Sequence, residues 1–193
     1  MSPRVSIGIP AYNAARYLEA AVTSALSQSF QDIEVFVCDN KSTDATPALC
    51  AKIQDPRFRY LRFEEHVGQP GNWNRCLEAS RGEFVVLLHA DDLLDPRFVE
   101  RAVDALDRFP KASFAHSAVR HVAEDAGFLF LQRLHETDRH TPGPEFFLRL
   151  LREGCLVNPA GIMVRRSAYD AAGNFFEGVA WGTDWDMWLR LCL

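Results

Sequence analysis

The chain has 193 residues, enough for one domain with a real core, and its 48% hydrophobic and 11% aromatic content is that of a globular protein. A net charge of −5 disfavours a nucleic-acid binder that works through a basic surface, so no nucleic-acid partner is expected, and an acidic protein handling anionic substrates needs a local cation. Five cysteines (Cys38, Cys50, Cys76, Cys155, Cys192) include no C-x-x-C pair, which argues against a zinc framework or a disulfide scaffold and suits a reducing cytoplasm.

Met1-Ser2-Pro3-Arg4 leads straight into a strand, so no signal peptide is expected. No apolar run approaches the ~20 residues of a membrane span, which leaves peripheral association with a membrane open. Val5-Ser6-Ile7-Gly8-Ile9 reads as a first parallel strand, closed by Pro10-Ala11-Tyr12-Asn13, with Asn13 placed to cap a helix from Ala14 to Ser27. Ile33 to Cys38 reads as a second strand, ending in the polar turn Asp39-Asn40-Lys41-Ser42-Thr43-Asp44. Ser42 or Thr43 is placed to cap the helix that follows. Phe58 to Phe63 alternates as a third strand.

Gly68-Gln69-Pro70-Gly71-Asn72 opens a helix with Trp73, Cys76 and Leu77 along one face, and Gly82 stands where a left-handed C-terminal cap is expected. Phe84-Val85-Val86-Leu87-Leu88 is a run of apolar residues typical of a strand covered on both faces, and it ends in His89-Ala90-Asp91-Asp92. A helix starting at Pro96 and a fifth strand over 112–119 follow. Strand and helix thus alternate over the first ~120 residues, which predicts an α/β fold with a mostly parallel central sheet and helices on both faces.

After Arg120 the pattern loosens: a strand over Phe128–Leu131, a helix after Thr141-Pro142-Gly143-Pro144, a short strand over Gly161–Val164, a brief helix near Ser167, and an amphipathic helix from Gly182-Thr183-Asp184. That last pattern runs to Leu193 without a cap, as expected of a domain shortened at its C-terminus.

Acids sit at strand ends or helix starts at Asp39, Asp91-Asp92 and Asp184. Parallel strands place the first two on one edge of the sheet, where open α/β sheets bind ligands. Converging carboxylates are costly unless a cation joins them, and a hard divalent ion bridging a diphosphate meets that need. Asp91 or Asp92 as a helix cap is the plain alternative. The P-loop and the G-x-G-x-x-G fingerprint are both absent, which argues against nucleotide folds of those types.

These residues resemble the family 2 glycosyltransferases of GT-A fold. The resemblance rests on Val5 to Asn13, on Cys38-Asp39-Asn40-Lys41-Ser42-Thr43-Asp44, on the run from Gly68 to Asp92, and on Gly182-Thr183-Asp184 with Trp185 to Arg190, in the family's order. It implies a single GT-A domain over 1–193, Rossmann-like, with a nucleotide-sugar-binding half (about 1–120) and an acceptor-side half (121–193). It implies metal-assisted, inverting transfer of a sugar from a UDP, dTDP or GDP sugar to a glycan, lipid-linked or protein acceptor, as in polysaccharide biosynthesis. Asp91 would bind Mg²⁺ or Mn²⁺ and Asp184 would be the general base, with an ordinary N-cap as the alternative for Asp184. Asp39 would bond the nucleotide base, with Pro10 and Tyr12 lining its pocket. Asn13, Asn40, Gly68, Asn72, Asn74, His89 and Ala90 would complete the donor site. A catalytically silent nucleotide- or glycan-binding module and a nucleotidyltransferase are the alternative functions.

The sequence departs from the family pattern at several of these positions. His89 stands where the family has the first acid of its D-x-D, with metal ligation, ribose contact and packing all open to it. Asn72-Trp73 replace Ala-Arg, Lys41 replaces a turn glycine, Asn40 replaces an acid and Thr183 replaces a Glu. His116, His121, His135 and His140 show no metal-ligand spacing and are expected on the surface or in packing.

Overall fold

In a computed structural model, whose described residues are 2–124, 127–178 and 182–193, β1 (Val5–Ala11) forms the middle of the sheet. It pairs in parallel with β2 (Ile33–Asp39) on one side and β4 (Phe84–Leu87) on the other, and β3 (Phe58–Arg62) adds in parallel to β2. The apolar runs lack alternation because both faces are covered. Val35 and Val37 face the layer containing α1 (Leu18–Leu26) and α4 (Phe98–Arg108). Phe36 and Cys38 face the layer of α3 (Gly68–Ala79), α5 (Gly143–Glu153), α6 (Arg166–Ala172) and α7 (Thr183–Leu191). Fully buried residues such as Ile7 and Leu88 each stabilise the fold by about 1.5–3 kcal/mol.

The second half does not extend the parallel order. The expected strand over 112–119 breaks into β5 (Phe114–His116) and β6 (Val119–Val122). β8 (Ile162–Arg165) inserts antiparallel between β4 and β5, giving the order β3-β2-β1-β4-β8-β5. β5 and β6 are separated by Ser117-Ala118, where the Ser117 N–H still donates to the Gly161 carbonyl just ahead of β8. β6 then pairs with β7 (Phe128–Gln132) in a separate two-stranded ribbon that exposes Phe128, Leu129, Phe130 and Leu131. No helix among the described residues is long and apolar enough to cross a membrane.

Several local expectations are corrected. Asn13 does not cap α1, which starts at Leu18; its backbone is left-handed, with φ 50°, and its side chain turns to the next loop. α2 (Thr46–Cys50) is held at its start by Asp44, whose Oδ1 accepts from the Thr46 N–H, rather than by Ser42 or Thr43. Gly82 is not in the left-handed region. It is required instead by close backbone approach, since a Cβ there would lie 2.7 Å from the Ser6 nitrogen of β1. Gly182, with φ 82°, takes the cap position of α7, so Asp184 lies inside the first turn and makes no capping bond.

Candidate active site

Because β1, β2 and β4 run in parallel, the loops after Ala11, Asp39 and Leu87 open on one edge of the sheet. There they enclose a cleft of about 550 Å³. The first loop contributes Pro10, Tyr12 and Asn13; the second contributes Asn40; the start of α3 contributes Gly68, Asn72 and Trp73; the loop after β4 contributes His89, Ala90 and Asp91.

The first two loops are stitched together by side chains that favour turns. Asn13 Oδ1 accepts from the Thr43 N–H at 2.8 Å, and the Asn13 N–H donates to Ser42 Oγ at 2.9 Å. Lys41 occupies the left-handed region at φ 68°, in the place of the family's glycine. Asn40 is buried and joins this loop to α3: its Oδ1 accepts from the Val67 N–H and from Arg75 Nη1, and its Nδ2 donates to the Gly68 carbonyl. Exposed Tyr12 meets His66 edge to face, with ring centroids 4.3 Å apart, and the two rings flank the mouth of the cleft.

Two expected donor-site residues lie elsewhere. Asp39 is fully buried and does not line the cleft. Its Oδ1 accepts from the Ser42 N–H at 2.8 Å and its Oδ2 from the Tyr60 hydroxyl, so it fixes the second loop. Burial and this carboxylate together push the Tyr60 phenol well up. Asn74 faces away from the cleft: its Nδ2 donates to the Phe175 carbonyl at 3.0 Å and its Oδ1 accepts from the Phe175 N–H at 2.7 Å. This reciprocal pair ties α3 to the segment before α7. Asn72 does line the cleft; its Nδ2 donates to the Cys38 carbonyl at 2.9 Å, while its buried Oδ1 has no partner among the described residues.

After β4 the structure brings together more than Asp91. One ligand atom each from His89, Asp91 and Asp92 lies within 4.8 Å of the others, a spacing that one divalent ion can close. The donor set, two carboxylates and an imidazole, suits a divalent ion. Burial raises the Asp92 carboxyl above its ordinary range; the His89 imidazole opposes the shift and the Asp91 carboxylate adds to it. A carboxylate whose charge is disfavoured by burial and by a neighbouring acid is what a cation relieves. Trp73 stacks on His89.

A second, much smaller hollow shares Trp73 and His89 as wall residues with the cleft and is closed by Asp184, Phe175 and Trp188. Asp184 therefore lines one hollow with His89. Its Oδ2 accepts from Cys155 Sγ at 3.6 Å. Sequence reasoning did not single out His66, which lies outside every motif segment, or Gln69, which lies within the Gly68–Asp92 run but not at one of its motif positions; Trp73 was visible only as a packing residue and a departure. His116, His121 and His140 stack on Phe146, Phe130 and Phe109, in keeping with packing roles.

A cleft bordered by Asp91 at the C-terminal edge of a mostly parallel sheet, with an antiparallel strand inserted beyond it, defines an α/β fold of the GT-A type. The sequence profile of glycosyl transferase family 2 matches residues 6–173, and the chain belongs to that family. It is 27% identical over 191 residues to chondroitin synthase of Escherichia coli, covering 98% of this chain and 26% of that protein. In solved structures it is similar to S. aureus TarS 1–349 in complex with UDP (TM-score 0.75, 21% identity, 96% of this chain and 54% of that one). It is also similar to the mannosyltransferase PcManGT of Pyrobaculum calidifontis in complex with GDP-Man and Mn²⁺ (TM-score 0.69, 22% identity, 96% and 50%). The chain spans less than two thirds of the length of the curated relatives it matches.

Proposed function

We propose that this chain is a single GT-A domain that transfers a sugar from a nucleotide-diphosphate sugar to an acceptor hydroxyl with inversion, assisted by Mg²⁺ or Mn²⁺. The observation that carries the reading is the convergence of His89, Asp91 and Asp92 beside a cleft with no Lys or Arg among its described lining residues. A diphosphate entering there meets acids and no side-chain ammonium or guanidinium, so a divalent ion held by Asp91, with Asp92 and His89, is what reconciles the two. When bound, such an ion neutralises charge developing on the departing diphosphate.

The remaining roles belong to the chain's own groups. Tyr12 and His66 flank the nucleobase. Asn13, Asn40 and Asp39 hold the loops that shape its pocket, and the free Oδ1 of Asn72 accepts an N–H from the donor. Asp184 takes the proton from the acceptor hydroxyl as it attacks the anomeric carbon. A single displacement by the acceptor oxygen, its proton passing to Asp184 and the diphosphate departing, inverts that carbon.

Residues 1–120 form the donor half and 121–193 the acceptor side, where a glycan, lipid-linked or protein acceptor docks. The solved relatives bound to UDP and to GDP-Man with Mn²⁺ support a nucleotide-sugar donor and a metal. Five unpaired thiols support a cytoplasmic location, and the exposed Phe128 to Leu131 ribbon supports peripheral attachment at the inner membrane face.

The test is thermal stabilisation by UDP, dTDP and GDP, each with and without Mn²⁺. A ligand at 100 times its Kd stabilises by about 2.7 kcal/mol. Stabilisation by one nucleotide that depends on Mn²⁺ supports the reading; no response to any nucleotide in either condition contradicts it.

A further inference from the structure

Cys155 follows Gly154, whose φ of 88° turns the chain sharply at the end of α5. The turn brings the Cys155 thiol to 3.6 Å from Asp184 Oδ2 on the first turn of α7, with the Val157 carbonyl at the same distance. Asp184 accepts no other side-chain hydrogen bond among the described residues, and it borders the hollow that holds His89. Asp186, the other acid of that turn, faces Arg190 on its own helix at 2.6 Å and is not available to orient its neighbour.

We propose that Cys155 is a positioning residue for Asp184: its S–H donates to Oδ2 and fixes the carboxylate, leaving Oδ1 toward the acceptor. The proposal rests on Asp184 being the base. A thiol suits the task because it is a weak donor, so it orients the carboxylate without stabilising its charge as strongly as a hydroxyl would. Partial desolvation beside α7 and the Asp184 carboxylate push the thiol up to about 12, so it keeps its proton throughout the neutral range. The thiol hydrogen stays on sulfur, and the acceptor proton goes to Asp184.

The pairing is read without any ligand by the pH profile of iodoacetamide alkylation at Cys155, followed by peptide mass. Cys155 is exposed, whereas Cys38, Cys50, Cys76 and Cys192 are buried, so the signal is assignable. Asp184→Asn removes the facing charge and should lower the midpoint for Cys155 by about one unit or more. An unchanged midpoint overturns the pairing.

The role in turnover is read by Mn²⁺-dependent hydrolysis of UDP-GlcNAc and by transfer once an acceptor is identified. Cys155→Ala should lower kcat severalfold at constant KM, and Cys155→Ser should restore rate with the acidic limb of the profile moved to lower pH. A Cys155→Ala variant with unchanged kcat overturns the positioning role. If Asp184→Asn stays active while the alkylation midpoint shifts, the thiol–carboxylate pair stands, but Asp184 is not the base and Cys155 positions nothing catalytic.

Discussion

Trp73 lies nearly parallel to His89, with ring centroids 5.4 Å apart and planes 17° from parallel. These are two of the positions at which the chain departs from the family pattern, where an Arg and an Asp are usual. The departures are thus in contact: a stacked pair stands where a cation and an acid would otherwise occur. Phe175 packs against the edge of Trp73, and Asn74, one residue further along α3, holds Phe175 in place.

The stack should be worth about 0.5–1.5 kcal/mol of coupling beyond its buried area. A double-mutant cycle of Trp73→Leu and His89→Ala, read by urea unfolding, should return a coupling of that size. Additive effects would show that the two rings pack independently. His89→Asp alone should destabilise the metal-free protein, since it adds a third carboxylate beside Asp91 and Asp92, and should tighten Mn²⁺ binding.

Asn74 separates a tether from a ligand contact. Asn74→Ala leaves the buried N–H and carbonyl of Phe175 without their partner and should cost about 2 kcal/mol. Chemical denaturation measures this loss. A stability loss under about 0.5 kcal/mol with a collapse of nucleotide affinity would instead place Asn74 in the donor site.

Lys41 holds a left-handed backbone, a conformation that costs any residue with a Cβ. Lys41→Gly should raise stability by about 1 kcal/mol, as relief of a Cβ clash outweighs the added freedom of the unfolded chain. An unchanged or lower denaturation midpoint would refute the strain. Weaker nucleotide binding in the stabilised variant would give the lysine a charge role at the donor.

His116 should make the fold acid-sensitive. Burial, with His135 and Arg149 nearby, lowers its imidazole below the ordinary value of 6.5. Well above that value both folded and unfolded chains carry it neutral, so it contributes nothing to the pH dependence. As pH falls through about 6.5 the unfolded chain takes up the proton first, and stability is lost until the folded pKa is passed. Urea midpoints at about pH 7.5 and about pH 5.5 should differ less in His116→Gln than in the wild type. An equal difference in both would remove His116 as the cause.

The strands and their delivery of Asp39 and Asp91 to one edge were legible, because an apolar run without alternation encodes a doubly covered strand. The place of β8 was not legible, since its pairing with β4 and β5 is non-local and its four residues look the same as any short strand. The motif positions pointed to the cleft, and Pro10, Tyr12, Asn40, Asn72 and Asp91 all line it. They could not say which way a side chain turns. Asp39 and Asn74 lie in motif positions and yet face inward, because Tyr60 and Phe175 offer them partners from distant parts of the chain. Gly82 was read for its backbone freedom, but the need for it comes from β1, again a non-local cause.

Asp91 is the residue on which the functional account turns. Calorimetric titration of UDP and of GDP into the protein with Mn²⁺, repeated with Asp91→Asn, tests it most directly. The account predicts binding of at least one nucleotide by the wild type, dependent on Mn²⁺, and a loss of ~100-fold or more in affinity in the variant. Equal Mn²⁺-dependent binding by wild type and Asp91→Asn would contradict it.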